Sequence, residues 1–309
     1  MFRQRTLKAA VRASGVGLHS GQRVELTILP APADSGIVFR RIDMPGSPDI
    51  KVDPRHITDT RMATTLSAGL TDELKKTKVA TIEHLMSALY GVGVDNAIVT
   101  VTASEIPILD GSSGSFVFLL RQTGLVEQSA LKKFVSVVQT VEIHEGDAWV
   151  KLQPYFGFKL SFSIDFGHPA IDATGQIVEL DFADTSYIND IARARTFGFM
   201  QDVDTLRSRG LALGGSLDNA IVMNETKVLN TDGLRYGDEF AKHKILDAIG
   251  DLYVLGRPLL ASYSSHKGGH KMNNLLLRKL LDTPAAWTFE TFRDSRKAPK
   301  VFAKDWVAV

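Results

Sequence analysis

The chain has 309 residues, of which 44% are hydrophobic and 23% charged, a composition ordinary for a globular protein and a length that suits about two domains. Lysine and arginine total 36 against 35 for aspartate and glutamate, so no excess of charge favours a nucleic acid or an anionic membrane surface as a partner. Cysteine is absent, which excludes disulfides and cysteine-ligated zinc and fits a reducing compartment.

The N-terminal stretch, residues 1–17, carries four basic residues but no apolar run, so we expect no secretory signal there. No stretch is apolar for long enough to cross a bilayer. We therefore expect a cytoplasmic protein without integral membrane association.

Short strands dominate the first part of the chain. Apolar and polar residues alternate in residues 23–29, a pattern typical of a half-buried strand. On such patterns and on β-branched content, we predict strands at residues 7–13, 23–29, 36–41, 62–66 and 97–103. A glycine-rich turn, residues 15–21, contains His19, which we leave outside the chemistry because a lone turn histidine is more often structural. The lysines within residues 75–78 indicate a solvated loop.

Two helices interrupt these strands. The first begins near Thr81 and places large apolar residues on one face and His84 among small residues on another, where a second backbone can approach closely. The second is capped by Ser112 or Ser113 and runs through Leu120.

The polar residues 124–133 are interpreted as a connection between two domains. Beyond them we predict strands at residues 134–138, 141–144, 149–154, 158–165, 219–223 and 259–263. Helices are predicted at residues 187–195 and 272–281, with a longer one between Asp238 and Gly256. Residues 195–200, 211–216 and 266–270 are predicted as loops. The order of helix, strand, loop and helix occurs in both halves, which we interpret as distant structural repeats.

The longer helix carries His243 and Asp247 four residues apart, so both side chains leave the same face and can reach one cation. Asp251 extends that row by a turn. Buried carboxylates on an otherwise apolar helix are costly unless a cation compensates them. If the long helices of the two halves face each other, His84 joins the pair and completes the two-histidine, one-carboxylate set known from catalytic zinc sites.

Other interpretations stay open at this point. A histidine and an aspartate at this spacing often form a solvated helix pair, and the same three ligands bind Fe(II) in non-haem oxygenases. A nucleic-acid-binding module would need a basic face, which the balanced charge does not supply. Glu83, next to His84, favours a hydrolase, because a carboxylate there can deprotonate a water without being a ligand and an oxygenase has no evident use for it.

Six motifs carry a resemblance that extends over nearly the whole chain. They are residues 15–21 (GVGLHSG), 81–84 (TIEH), 106–111 (IPILDG), 194–199 (ARTFGF), 243–247 (HKILD) and 267–270 (KGGH). Together they resemble the UDP-3-O-acyl-N-acetylglucosamine deacetylase family, the zinc amidases of lipid A synthesis in Gram-negative bacteria. The resemblance implies an α+β fold of two similar domains, each a β-sheet with two helices, packed helix layer to helix layer with the active site between them.

The resemblance also implies domain limits and residue roles. The first domain is expected at residues 1–127, a linker at 128–133 and the second domain at 134–309, with an acyl-chain-binding insert around 187–223. The implied zinc ligands are His84, His243 and Asp247, with Fe²⁺ as an alternative metal. The implied catalytic residues are Glu83 as general base, His270 as acid or oxyanion stabiliser, Asp251 as its orienting carboxylate, and Thr196 and Lys244 as oxyanion and substrate contacts. The implied substrate-binding residues are Phe197, Phe199, Ala212, Val222 and Lys267.

Two positions depart from the family pattern. Ala63 stands where some relatives have a cysteine, which removes the basis for a second, inhibitory metal site. His266 stands where relatives often have an aromatic residue, so no role is assigned to it.

The reaction implied by the resemblance is hydrolysis of the acetamide of UDP-3-O-acyl-N-acetylglucosamine. It releases acetate and UDP-3-O-acyl-glucosamine and is the committed step of lipid A biosynthesis. The expected partner is this small-molecule substrate, with no nucleic acid, and the expected state is a monomer.

Overall fold

A computed structural model describes residues 2–300. Met1 and residues 301–309, which the expected domains include, lie outside the described residues. Within the described part of the chain, no helix has both the length and the apolar composition that a membrane crossing requires.

The strands of the first half follow the alternation of apolar and polar residues, as in the strand whose Val24, Leu26 and Ile28 are almost fully buried. Its strands are β1 (Arg3–Leu7), β2 (Val11–Val16), β3 (Arg23–Pro30), β4 (Ile37–Arg41), β5 (Ile50–Lys51), β6 (Ile57–Asp59), β7 (Thr65–Ser67), β8 (Lys78–Val79), β9 (Ala97–Val101) and β10 (Leu125–Leu131). The larger sheet of this half has five strands in the order β2-β3-β9-β4-β5, in which only β4 and β9 are parallel. A small sheet, β6-β7-β8, precedes the first long helix, and β1 pairs with β10.

Three helices belong to this half: α1 (Asp72–Lys76), α2 (Glu83–Val92) and α3 (Gly114–Thr123). Nine of the ten residues of α2 are buried, which is unusual for a helix and follows from its position between a sheet and other helices. Gly93, with a φ of 82°, ends α2 in the left-handed conformation that glycine adopts without strain.

The second half is built around a mixed sheet of seven strands, with the path β12-β13-β18-β11-β19; β14 also pairs with β18, and β15 pairs with β14. Its strands are β11 (Lys133–Val137), β12 (Val141–Glu145), β13 (Ala148–Gln153), β14 (Phe158–Ser163), β15 (Ile177–Asp181), β16 (Phe197–Phe199), β17 (Ile221–Met223), β18 (Leu259–His266) and β19 (Trp287–Thr291). Its helices are α4 (Pro169–Asp172), α5 (Val203–Ser208), α6 (Glu239–Tyr253) and α7 (His270–Leu281). The short strands β16 and β17 pair in parallel, apart from the large sheet.

Helices α2 and α6 join the two halves by direct contact. A Cβ atom at Gly250 of α6 would lie 1.9 Å from the carbonyl oxygen of Glu83, so the two backbones meet where only glycine fits. A Cβ atom at Gly91 of α2 would likewise lie only 2.0 Å from a ring carbon of Tyr187. The α+β class and the helix-to-helix packing predicted from the sequence are therefore confirmed.

Several local predictions need correction. The stretch 124–133, interpreted from the sequence as a connection between two domains and not predicted as a strand, forms β10 for most of its length and pairs with β1. The lysine-rich loop is partly the helix α1, whose first turn is capped by Thr71. Only a single π-helical turn, Tyr187–Ile191, stands where a longer helix was predicted, and residues 197–199 form β16 instead of a loop. The division of the chain into domains remains a prediction.

Candidate active site

Asp247 and the two histidines converge where the first turn of α2 meets the middle of α6. Asp247 Oδ1 lies 3.4 Å from Nε2 of His84 and 3.4 Å from Nε2 of His243. One nitrogen or oxygen from each of the three residues lies within 4.8 Å of the others, and all three residues are buried. His243 and Asp247 share one face of α6, as their spacing predicted. The third residue of the group, His84, lies on α2.

An unpaired oxygen of this group fits a metal ion. Asp247 Oδ1, the atom that both histidine Nε2 atoms face, is buried without a hydrogen-bond partner, although buried polar atoms are nearly always paired. The ring of His243 donates from Nδ1 to the carbonyl of Ala194 at 3.0 Å, which leaves the Nε2 lone pair directed at Asp247. Three such ligands leave an open position on zinc or on Fe(II).

Protonation states in this group also suit metal binding. Burial lowers the pKa of His243 to about 4, so its ring is neutral and can act as a ligand. Burial alone would raise the pKa of Asp247, but His243 and Lys244 outweigh it and hold this pKa well below its usual range. Lys244 donates from Nζ to Asp247 Oδ2 at 3.0 Å, so only Oδ1 is open to a cation.

Glu83 lies beside the three-residue group and is 2% exposed. Its Oε2 accepts the backbone N–H of Thr64 at 3.0 Å. Burial raises the pKa of Glu83, more than the neighbouring histidines lower it. A carboxylate with a raised pKa is suited to accept a proton near neutral pH.

His270, at the start of α7, forms an ion pair with Asp251 of α6. Its Nδ1 is 2.8 Å from Asp251 Oδ2, which also accepts Nδ2 of Asn273 at 2.9 Å. Burial alone would lower the pKa of His270, but Asp251 and the carboxylates of Glu83 and Asp247 raise it to about 9. His270 is therefore a cation at neutral pH.

A cavity of about 590 Å³ opens onto these groups. Its polar lining includes Glu83, His84, His243, Asp247, Lys244, Thr196 and His270. Its apolar lining includes the predicted Phe197, Phe199, Ala212 and Val222, together with Leu18, Phe166, Met200, Val203, Leu206 and Leu217, which the sequence had not singled out. The cavity thus offers both polar and apolar surface to a bound molecule.

One buried ion pair and one tight turn explain the motifs at residues 194–199 and 106–111. Arg195 is bound by Glu239 at the start of α6, with Nε 2.9 Å from Oε1, and this holds β16 beside the cavity. Thr196 donates its N–H to the carbonyl of Gly111 at 2.8 Å, so residues 106–111 support the same strand. Gly111 has a φ of 80° and faces the carbonyl oxygen of Asn219 too closely for any Cβ atom.

Glu105 fixes the glycine-rich turn at the other wall of the cavity. Its Oε1 accepts the N–H of His19 at 2.9 Å and the hydroxyl of Thr81 at 3.0 Å, and its Oε2 accepts the N–H of Ser20 at 2.8 Å. His19 lines the cavity, and its Nε2 is buried without a partner. The turn therefore belongs to the site, which its sequence position alone did not establish.

Lys267 and His266 lie apart from the residues that line the cavity. Lys267 Nζ is 2.8 Å from Asp147 Oδ2 and 2.7 Å from Asp165 Oδ2, and His266 Nδ1 is 2.8 Å from the hydroxyl of Ser163. A substrate contact by Lys267 remains a prediction.

Two histidines and one carboxylate are buried together between α2 and α6, with Glu83 beside them, and they line a cavity with many apolar side chains. This arrangement is typical of the class of metal-dependent hydrolases. Comparison with protein families narrows this class. The model of the LpxC family, described as UDP-3-O-acyl N-acetylglycosamine deacetylase, matches residues 4–282, and the chain belongs to that family. Its members are deacetylases of lipid A biosynthesis that act on a UDP-linked acyl sugar, so the family inferred from the motifs is confirmed.

Proposed function

We propose that this protein is a zinc-dependent amidase that hydrolyses the acetamide of UDP-3-O-acyl-N-acetylglucosamine to acetate and UDP-3-O-acyl-glucosamine. The observation that carries the proposal is the open Asp247 Oδ1, equidistant from two histidine nitrogens and next to Glu83. Zinc held by His84, His243 and Asp247 would lower the pKa of a water toward neutrality and polarise the amide carbonyl. Fe²⁺ suits the same ligands and is the alternative metal.

Glu83 and His270 divide the proton transfers of this reaction. Glu83 accepts a proton from the attacking water, whose oxygen forms the new bond to the amide carbon. His270, cationic beside Asp251, stabilises the negative charge that develops on the carbonyl oxygen. It then supplies a proton to the sugar nitrogen as the C–N bond breaks, so acetate and an amine leave. Thr196 and Lys244 are proposed to contact the same oxygen and the substrate.

The apolar side chains that line the cavity are proposed to hold the acyl chain. Phe197, Phe199, Ala212 and Val222 are among them. Burial of the chain there would keep the amide beside the polar side chains, because each methylene is more stable in the cavity than in water.

The test is deacetylation of the UDP-linked acyl sugar by metal-stripped protein, with Zn²⁺ and Fe²⁺ restored in turn. We expect loss of acetate release on stripping and recovery with at least one of the two ions. Full activity in the stripped protein, with elemental analysis showing no residual metal, would contradict the proposal. The absence of cysteine supports the cytoplasm as the proposed location, and the monomeric state stays a prediction.

A further inference from the structure

Thr64 lies between two carboxylates: that of Glu83, the proposed base, and that of Asp251, the partner of His270. It is 3% exposed and immediately precedes β7. Its hydroxyl donates to Asp251 Oδ1 at 2.6 Å, and its backbone N–H donates to Glu83 Oε2 at 3.0 Å. Its carbonyl accepts the N–H of Ile82, the residue before α2, at 3.3 Å. One residue of the first half is thus bound to α2, to the side chain of Glu83 and to α6.

The hydroxyl of Thr64 completes the set of donors around Asp251. The other oxygen, Oδ2, is bound by His270 and by Asn273, and the amide oxygen of Asn273 accepts the hydroxyl of Tyr263 at 2.7 Å. A carboxylate held through only one oxygen can rotate about its Cβ–Cγ bond. Donors on both oxygens fix the carboxylate plane, and with it the direction of the His270 ring.

The contact to Glu83 comes from the main chain, so no side-chain substitution at position 64 removes its donor. The hydroxyl bond to Asp251 anchors the same residue, which means that the placement of the amide depends on α6. Thr64 therefore links the positions of Glu83 and His270, because it bonds to Glu83 directly and to His270 through Asp251. The two linked residues belong to different helices and different halves of the chain.

Thr64 is not among the residues that line the cavity, so it does not contact a substrate there. We propose, resting on the proposed function, that Thr64 is a positioning residue that sets the placement of the base Glu83 relative to the acid His270. It acts through Asp251 on one side and through its own amide on the other. Its effect belongs to the chemical step and not to substrate binding.

The first experiment compares Thr64→Val, which keeps the shape and removes the hydroxyl, with Thr64→Ser, which keeps the hydroxyl. We expect Thr64→Val to lower kcat by roughly 10- to 100-fold, the usual effect of losing a contact that orients a site residue, with KM and metal content unchanged. Thr64→Ser should retain kcat within about threefold, because its hydroxyl can still reach Asp251. Thr64→Ala gives the same measurement if the valine variant does not fold.

Thr58→Val is the matched control. The hydroxyl of Thr58 bonds to that of Ser67 at 2.6 Å in the sheet β6-β7-β8. Neither residue has a part in the proposed reaction. Loss of this bond should affect the thermal midpoint and leave kcat unchanged. Equal loss of kcat in Thr58→Val and Thr64→Val would show a general effect on the sheet and would overturn the inference.

The second experiment places Thr64→Val in a His270→Ala background. The hydroxyl of Thr64 bonds to Asp251, so most of its effect on kcat should pass through His270. Its removal should therefore lower kcat much less in the His270→Ala background than in the unaltered protein, the non-additivity expected of residues that act as a unit, and the remaining effect reports the path through the amide to Glu83. An undiminished effect in that background would overturn the inference.

The two experiments separate this inference from the proposed function. Unchanged kcat in His270→Ala alone would remove His270 from the proposed mechanism. A slow His270→Ala enzyme together with a fully active Thr64→Val enzyme would leave the mechanism intact and remove only the role of Thr64.

Discussion

His266 and His270 are four residues apart, a spacing that on a helix would suggest a shared ligand role. The structure separates them: His266 ends β18 and bonds to Ser163, whereas His270 begins α7 and bonds to Asp251. The glycines between them prevent a continuous helix, as their low helix propensity predicts.

Substitution of these two histidines should therefore have different kinetic effects. His270→Ala should lower kcat by roughly 10² to 10⁴, the usual contribution of acid–base assistance, while elemental analysis finds normal metal content. His266→Ala is the control and should change kcat far less. Metal loss in His270→Ala, or equal kinetic effects of the two changes, would contradict the assignment.

The pKa of His270 predicts the alkaline side of the pH profile. Because the pKa is raised to about 9, His270 is protonated at neutral pH and loses its proton as the pH rises through that value. The rate should therefore fall near pH 9, and should fall on the acidic side as Glu83, whose pKa burial raises, becomes protonated. Asp251 is the strongest influence that raises the pKa of His270, so Asp251→Asn should move the alkaline limb to lower pH. An alkaline limb that Asp251→Asn leaves in place would assign it to another group.

At the residue scale, the sequence predicted the site residues that are neighbours on one helix. It missed the residues that reach the site only through tertiary packing. His243 and Asp247 were identified from their spacing, and Glu83 and His84 from adjacency. Thr64 and Asn273 were missed because their contacts to Asp251 depend on tertiary packing: Thr64 and Asp251 are 187 residues apart in sequence. No local pattern reports such a contact.

Gly250 determines how closely helix α6 approaches α2. Its hydrogen faces the carbonyl oxygen of Glu83, so Gly250→Ala must push the helices apart. We expect a loss of about 1–3 kcal/mol in the free energy of unfolding, typical of overpacking, together with weaker metal binding because His84 moves away from Asp247. Denaturant titration and metal titration measure the two effects.

Gly237→Ala is the control for this substitution, since no heavy atom lies within 4 Å of a Cβ atom built there. Similar losses in both variants would show that the effect comes from glycine replacement in general and not from the helix contact.

Strand β17 and the helix α5 form one wall of the apolar part of the cavity. If the acyl chain lies there, each buried methylene favours binding by about 0.8 kcal/mol, or roughly fourfold. Val222→Trp should shorten the passage and lower kcat/KM for long-chain substrates more than for short ones. Val126→Trp, on the exposed β10, should leave the chain-length dependence unchanged. An equal loss for all chain lengths in Val222→Trp would exclude this passage.

Elements with a strong period were predicted well, and irregular ones were not. Helix α6 and strand β9 carry clear apolar patterns and were found close to their true limits. Strand β10 was missed because it is polar and only partly buried, and its stability comes from pairing with β1. Helix α5 has no buried residue, so no apolar stripe indicated it.

The candidate metal group, His84, His243 and Asp247, connects the two halves of the molecule, because His84 lies on α2 and the other two residues lie on α6. A ligand that binds only the folded state adds stability, about 4 kcal/mol at a thousandfold excess over its Kd. Chelation should therefore lower the thermal midpoint, and zinc should restore it. His84→Ala should remove this dependence, whereas His144→Ala, on an exposed strand, should retain it. A midpoint that does not respond to metal in the unaltered protein would contradict a metal site between the helices.

The position of Thr64, Glu83 and His84 early in the chain has a consequence for protein synthesis. The ribosome completes β7 and α2 long before it reaches α6, so Glu83 and His84 exist for a time without the helix that buries them. A nascent chain that ends before residue 243 holds one histidine of the metal group and no partner for the Thr64 hydroxyl. Neither half alone holds all three residues of the candidate metal group, and the proposed catalytic set is complete only after translation has passed His270.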